Sequence, residues 1–498
     1  MPPAVGFVWR AGDSAHLGLY SLAHMGDRAV RRVTPLRRTL AVSSAAIALV
    51  VLLGSVAWSR GSLNSLICDG DCGPAYVTAP HALTTNRAPD VAAINALPPG
   101  AADPTKVAAA VSSVLDASDL GSRTGFVALD PSSGAVLASR GSGAFVPAST
   151  AKILTSFSAL ALIDPQHRFT TRVAAEGAVS EGGTIVLVGG GDPYLATKRA
   201  KVHDRAINAD LTTLAIRTAD RLKKADVTSV RLRYDDSLFT GKSVSPTWPA
   251  SYVSGNIVTP VSALWTNQGV EGGVRSGNPA ASAARVFSGL LGRLGISVTG
   301  DTSGTKTDAT DPTVASVRSA TVAQIVSTLI RTSDNEAAEV MLRQVAIAGR
   351  QPATFDGGAE AVRTALDAAR IDTSGLKLYD GSGLSRRDLV APATLAETLH
   401  AASERSRTAG LLSDLPVSGF TGTLVKRFAG LPGARGLVRA KTGTLTGIHS
   451  LAGYAVDAEG SPIIFALMAD HTSEIASVTA EAALDRVAAA LATCSCQK

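Results

Sequence analysis

The sequence predicts an α+β fold: an antiparallel sheet flanked by helices, interrupted by an inserted β-rich domain and preceded by one transmembrane helix. Three observations carry this expectation. Strand-like runs stand at both ends of a helix-rich stretch, at 124–130 and 135–139, then at 437–444, 450–456 and 462–468. Two serine motifs that read as parts of one site, at Ser149 and Ser333, lie 184 residues apart, far more than one helical subdomain between them requires. An apolar run without a charged residue, 40–58, follows a cluster of arginines.

That run is about 19 residues long, enough to cross a bilayer as a helix. Arg28, Arg31, Arg32, Arg37 and Arg38 precede it, which keeps the N-terminus in the cytoplasm and exports the remainder of the chain. A cleaved signal peptide is the competing reading, but Ala57-Trp58-Ser59 places a bulky Trp inside the small-residue cleavage site. The expected order is therefore a basic cytoplasmic segment (1–39), a signal-anchor (40–58), a Pro-rich linker (59–105), a catalytic domain in two pieces (106–167 and 306–498) and an inserted domain (168–305). The expected location is the cell membrane with the catalytic domain outside, secretion after cleavage being the alternative.

The net charge of +6 looks like a nucleic-acid signal until it is located. Residues 1–60 hold seven Arg and two Asp, so five of the six charges belong to the N-terminus. The excess is topogenic, and nucleic-acid binding has no support. Four cysteines fit an exported chain: Cys68 and Cys72 just after the apolar run, Cys494 and Cys496 at the C-terminus. No His or Asp partners them at zinc spacing, so they read as staples, and neither a metal nor a cofactor is expected.

Along the exported part, six prolines between 74 and 105 mark a linker, and a short helical pattern covers 107–115. Pro131-Ser132-Ser133-Gly134 joins the first two strand-like runs as a hairpin. A helix begins at Ser149 and reaches about Leu162. After Phe169 the texture changes to short strands and glycine turns, including Gly189-Gly190-Gly191-Asp192-Pro193. A helical pattern returns around Ser316 and runs into Ser333, and 476–492 is an Ala-rich amphipathic helix.

Three short motifs carry the chemistry: Ser149-Thr150-Ala151-Lys152, Ser333-Asp334-Asn335 and Lys441-Thr442-Gly443. Ser149 stands at a helix start, where backbone N–H groups favour developing negative charge. Lys152 is three residues on, on the same face and within reach of the Ser149 hydroxyl. Burial and a second cation, supplied by Lys441, lower the pKa of Lys152 so that it can act as a base. Ser333 is placed to relay the proton to the leaving amine, and Asn335 to hold a substrate amide. Lys441-Thr442-Gly443-Thr444 ends a strand along which a peptide can lie, with Gly443 permitting close approach. The N–H groups of Ser149 and Thr444 are then the natural oxyanion donors, and the hydroxyls of Thr442 and Thr444 suit a substrate carboxylate.

Each motif alone has a plainer explanation: a helix N-cap at Ser149, a capping turn at 333–335, a strand end at Lys441. Jointly, in this order, they are a signature. Gly189-Gly190-Gly191 lacks the Lys-Ser/Thr of a phosphate loop, His449 reads as a strand-end residue, and Ser149 has no Gly-x-Ser-x-Gly context for a Ser–His–Asp triad.

With these motifs the chain resembles the D-Ala-D-Ala carboxypeptidase/endopeptidases among the low-molecular-mass class C penicillin-binding proteins. The resemblance extends over about 106–490 and includes Val188-Gly189-Gly190-Gly191-Asp192-Pro193, Asp380-Gly381-Ser382-Gly383-Leu384-Ser385, Leu415-Pro416-Val417-Ser418-Gly419 and Ala440-Lys441-Thr442-Gly443-Thr444-Leu445-Thr446-Gly447. It implies the transpeptidase-type fold shared with β-lactamases, an acylated Ser149 with Lys152 as base, peptidoglycan stem peptides as substrates and β-lactams as covalent inhibitors. It also implies that the N- and C-terminal helices pack together, bringing Cys68 and Cys72 near Cys494 and Cys496; a bridge between the pairs stands beside a local Cys68–Cys72 bond. The insertion is shorter than in the longest members, which implies a reduced or missing third domain.

Two other functions compete. A β-lactamase would need a deacylating carboxylate, and no Glu-x-x-Leu-Asn segment comes after Asn335. A catalytically silent cell-wall binding protein on the same fold would be free to lose the nucleophile, the base and the Lys-Thr-Gly, all of which are intact.

Overall fold

Phe126 and Ala128 face one side of strand β1 (Thr124–Leu129), Val127 and Leu129 the other, and each side meets its own layer of helices. The computed structural model of the chain describes residues 102–198, 206–474 and 477–498. The expected membrane span at 40–58, most of the linker, and Cys68 and Cys72 lie outside the described residues. Among the described residues no helix is long and apolar enough to cross a membrane.

β1 belongs to a five-stranded antiparallel sheet with β2 (Val136–Arg140), β10 (Val438–Leu445), β11 (Ile448–Val456) and β12 (Pro462–Ala469), in the order β10-β11-β12-β1-β2. One face is covered by α1 (Pro104–Leu115) and α9 (Ser477–Thr493). Val107, Val111 and Leu115 of α1 recur at helical spacing and pack with Leu484, Val487 and Leu491 of α9 on Phe126, Leu451 and Phe465. Asp103 starts α1 by accepting from Thr105 N, and Pro104 sits at the first helical position where its missing N–H costs nothing. The other face carries α2 (Ala151–Leu162), α5 (Val322–Thr332), α6 (Asn335–Ala348), α7 (Phe355–Ala368) and α8 (Pro392–Ser403), packed into the largest apolar core.

The terminal helices do pack together, but of the two expected pairings the bridge between the cysteine pairs is replaced by a local C-terminal bond, while Cys68–Cys72 lies outside the described residues. Cys494 is bonded to Cys496, their Cα atoms 5.2 Å apart, so neither sulfur is left for Cys68 or Cys72.

A second sheet, in the order β8-β5-β4-β3-β9, is built from β3 (Thr170–Ala175), β4 (Thr184–Val188), β5 (Ser229–Asp235), β8 (Ser297–Gly304) and β9 (Thr313–Arg318). The region expected to be β-rich is mixed. β4–β5 and β5–β8 are parallel pairs, which require crossovers, and α3 (Leu211–Lys223) and α4 (Pro279–Arg293) supply them. Leu211, Leu214, Ala215, Thr218, Ala219 and Leu222 form the buried stripe of α3. The sheet also ends later than expected: β9 pairs with β3 and runs to Arg318, past the boundary of 305, and the stretch around Ser316 is strand. The helix α5 starts only at Val322, where Thr321 and Gln324 make a reciprocal cap. A small hairpin, β6 (Val270–Glu271) and β7 (Val274–Arg275), lies between β5 and α4 in the chain.

Candidate active site

Ser149 occupies a single 3-10 turn, Ala148–Thr150, that runs straight into α2. Ala148 has φ +48°, a left-handed conformation an alanine rarely takes, and the surroundings hold it there. The Pro147 carbonyl accepts from the Thr150 hydroxyl at 2.7 Å and from the Ser450 hydroxyl of β11 at 2.6 Å. Two glycines close on the same turn. A side chain on Gly383 would collide with the Ala148 carbonyl, and one on Gly443 with the Ser450 hydroxyl. A Cβ on Gly443 would also stand 2.6 Å from the Pro147 carbonyl oxygen and 3.1 Å from the Ser149 nitrogen. β10 thus comes against the backbone of Ser149 only because residue 443 has no Cβ.

Lys152 is fully buried, and its ammonium donates to Ser149 Oγ at 2.9 Å, Asn335 Oδ1 at 2.7 Å and the Ser382 carbonyl at 2.6 Å. Burial lowers its pKa to about 8, against the pull of Glu339, Asp380, Asp334 and Glu336. The side chain is therefore close to giving up its proton at neutral pH while touching the hydroxyl it would deprotonate.

Lys441 is also fully buried, and donates to Ser333 Oγ at 2.8 Å and to the Thr442 carbonyl at 2.7 Å. Burial pushes it well below its usual value, with the Lys152 charge as a second cause. The expectation that Lys441 depresses Lys152 is not what the structure shows: burial is what lowers Lys152, and the charge effect runs from Lys152 onto Lys441. Ser333 ends α5 in the left-handed region (φ +60°, ψ +39°), and Asp334 caps α6 by accepting from Ala337 N at 2.9 Å. That turn sends Ser333 to Lys441 and Asn335 to Lys152.

β10 is an edge strand of the main sheet. The loop before it pairs with the first half of that edge: Ser418 N donates to the Val438 carbonyl and Ala440 N to the Pro416 carbonyl. Thr442 and Thr444 come next on the same edge. The Thr442 hydroxyl donates to Thr423 Oγ1 at 3.0 Å, and the exposed Thr444 hydroxyl to Glu481 of α9 at 3.2 Å. His449 pairs across from Thr444 on β11, buried, with burial lowering its imidazole.

All eight expected site residues gather around Ser149 and the β10 edge. The supports beneath them were not foreseen. Glu339 accepts from Gly381 N and Ser382 N at 3.0 and 2.8 Å and so aims the Ser382 carbonyl at Lys152; burial and the Asp380 charge raise its carboxyl. Asp380 accepts from Gly383 N at 2.7 Å, Ser385 N at 2.6 Å and the Trp248 indole at 2.6 Å. The segment Asp380-Gly381-Ser382-Gly383 was visible in the sequence; the use of a main-chain carbonyl was not. Among the described residues no cluster of His, Cys, Asp or Glu could hold a metal ion.

Comparison with known proteins decides the lineage. The model of the D-Ala-D-Ala carboxypeptidase 3 (S13) peptidase family matches residues 107–272 and 266–491. The chain belongs to that family. Carboxypeptidase DacB of Mycolicibacterium smegmatis is 34% identical over 483 residues, covering 93% of this chain and 99% of the relative. The D-alanyl-D-alanine carboxypeptidase of an Actinomadura species is 28% identical over 424 residues, 68% of this chain and 76% of that protein. The crystal structure of penicillin binding protein 4 (dacB) from Haemophilus influenzae superposes with a TM-score of 0.63 at 22% identity, covering 78% of this chain and 97% of that one, so the fold is shared. The same Haemophilus protein has been solved in complex with a β-lactam.

Proposed function

We propose that this chain is an exported serine-type D-Ala-D-Ala carboxypeptidase that trims the terminal D-alanine of peptidoglycan stem peptides through an acyl-enzyme on Ser149. One observation carries the reading: a fully buried lysine with a pKa of about 8 donates to the hydroxyl of Ser149 at 2.9 Å. In its neutral form Lys152 takes the Ser149 proton as Oγ attacks the carbonyl of the penultimate D-alanine. The oxyanion falls, in this reading, to the Ser149 and Thr444 N–H groups. The C–N bond breaks as the proton held by Lys152 passes through Ser333, beside Lys441, to the leaving amine; water then attacks the ester, Lys152 taking its proton and returning it to Ser149 Oγ, which restores the serine and the neutral lysine. Penicillins, whose lactam carbonyl presents the same target, acylate the same oxygen. Cutting of D-amino-acid crosslinks would use the same groups.

The carboxylates nearest Lys152 support slow release of a bound β-lactam, as opposed to lactamase turnover. Glu339 is held by two backbone N–H groups, Asp380 by two and an indole, Glu336 by Arg275, and Asp334 by Ala337 N and Gln268. These bonds argue against any of the four activating a deacylating water at Ser149. The uncleaved anchor at 40–58, with the catalytic part outside the cytoplasm, completes the proposal and rests on its length and on the arginines before it.

The test is mass analysis of products from purified stem pentapeptides and crosslinked dimers. Loss of one alanine from the pentapeptide is the expected result. Cleavage confined to dimers would move the assignment to an endopeptidase, and no cleavage of either would overturn it.

A further inference from the structure

The lobe that carries the second sheet reaches into the supports of the catalytic motifs. Gln268 Nε2 donates to Asp334 Oδ2 at 2.7 Å, and Arg275 Nε and Nη2 both address Glu336 Oε1, at 2.8 and 2.7 Å. Asp334 is the middle residue of Ser333-Asp334-Asn335, and Glu336 comes directly after that motif with a side chain only 6% exposed.

We propose that Gln268 and Arg275 are positioning residues of the acylation reaction, holding the Ser333–Asn335 turn in register from outside the catalytic helices. The inference rests on the reading of Ser149 as an acylated nucleophile.

Three features of the geometry support it. First, the turn must meet two demands at once. Ser333 is left-handed, and one short stretch must deliver Ser333 Oγ to Lys441 at 2.8 Å and Asn335 Oδ1 to Lys152 at 2.7 Å. A rotation at Asp334 spoils both contacts together. Asp334 is gripped from two sides: Oδ1 caps Ala337 N, and Oδ2 takes the Gln268 amide.

Second, the donors sit on a backbone held in an uncommon conformation. Asn267 and Gln268 have φ of +50° and +55°, a region that side chains other than glycine occupy only under constraint. The constraint is visible: Asn267 N donates to the Leu195 carbonyl, Asn267 Oδ1 accepts from Thr197 N, and the Gln268 carbonyl accepts from the Thr259 hydroxyl at 2.7 Å. Arg275 is braced in the same way by Asn256, whose Oδ1 accepts from Arg275 N and whose carbonyl accepts from Nη1. Third, neither Gln268 nor Arg275 bonds to Ser149, Lys152 or Lys441 in this structure, so any effect on acylation must pass through Asp334 and Glu336.

The experiment measures the second-order rate of acylation by a fluorescent penicillin, per folded molecule, for the full chain and for Gln268→Leu, Arg275→Met, Arg275→Lys and Gln268→Glu. Gln268→Leu and Arg275→Met should each slow acylation by about tenfold or more, since misplacement of reacting groups by a fraction of an ångström is enough. Arg275→Lys should recover to within about threefold, because both guanidinium nitrogens address one oxygen and a single ammonium can replace them. Gln268→Glu gives a readout that a merely structural role would not move. Its new carboxyl faces Asp334, whose own charged neighbours are Glu336 and Lys152, with Arg275 on Glu336. As an acid it donates as the amide did; once ionised it repels Asp334. Its rate relative to the unsubstituted chain should therefore fall as pH rises from about 5 to about 8. Unchanged rates per folded molecule in Gln268→Leu and Arg275→Met, or a pH-independent ratio for Gln268→Glu, would overturn the inference alone. Absence of labelling in the unsubstituted chain would overturn it together with the reading of Ser149.

Discussion

The Lys441 ammonium donates to the Ser333 hydroxyl at 2.8 Å. Lys152 makes the corresponding bond to Ser149, so each lysine has a serine of its own. Both ammonium groups are buried, and both are held below their usual value by that burial. In the proposed mechanism the pairing divides the roles: one lysine activates the nucleophile, the other orients the substrate and serves the leaving group.

The division predicts different responses to the same substitution. Lys152→Arg keeps its proton at any working pH and should lose acylation by about a thousandfold or more. Lys441→Arg keeps the positive charge beside Ser333 and should retain measurable acylation with poorer geometry. Penicillin acylation rates of the two proteins decide; equal losses would undo the assignment.

Ser149→Ala should abolish penicillin labelling and peptide cleavage while leaving unfolding stability within about 1 kcal/mol. The hydroxyl's bond is to Lys152, and the turn itself is held by Pro147, Thr150 and Ser450. Urea unfolding beside a labelling assay checks both halves. Label on another serine would sink the site.

Gly443→Ala places a methyl into the Ser450 hydroxyl and beside the Pro147 carbonyl and the Ser149 nitrogen. Only strand β10 or the nucleophile turn can yield. Stability should fall by about 1–3 kcal/mol. Acylation should fall further, by about a hundredfold, because the group displaced is the backbone proposed to hold the oxyanion. A variant that is destabilised yet acylates normally would show that β10 does not set this geometry.

Asp192 gives a prediction away from the chemistry. It is buried, accepts from Tyr194 N at 2.9 Å through one oxygen, and burial raises its carboxyl to about 7. The folded chain then holds a proton that the unfolded chain, with a value near 3.8, releases. Stability from this group is complete below pH of about 4 and is lost as pH rises through about 7, at roughly 1.4 kcal/mol per unit. Asp192→Asn, which cannot ionise, should flatten that slope, and its advantage at pH 8 should vanish by about pH 4. Denaturant unfolding across pH reads it directly; parallel slopes for the two proteins would refute the burial argument.

The parts of this molecule that were legible in the sequence are those with short-range signatures. Ser149 and Lys152 share a helix face because they are three apart, and the strands of the main sheet announce themselves as short apolar runs, buried on both faces, with turns between them. The two helices of the second lobe were missed because glycine turns and short strands dominate the residues around them, although the apolar stripe of α3 was there to be counted. The boundary at 305 failed because β9 completes the second sheet from a position close in sequence to the catalytic helices. The C-terminal disulfide was misjudged because helix packing pointed across the fold, past the neighbour two residues away. Ser382 was overlooked for a different reason: its carbonyl, not its side chain, meets Lys152. Gln268 lies 66 positions before Asp334, and only the folded chain brings them together.

The central claim is that Lys152, held at a pKa of about 8 by burial, activates Ser149. Its most direct test is the rate of Ser149 acylation by a penicillin that does not itself titrate between about pH 5 and 10, measured across that range. The rate should climb on a single limb with a midpoint close to 8, and the limb should disappear in Lys152→Arg. A rate independent of pH, or a limb that survives in Lys152→Arg, would contradict the account.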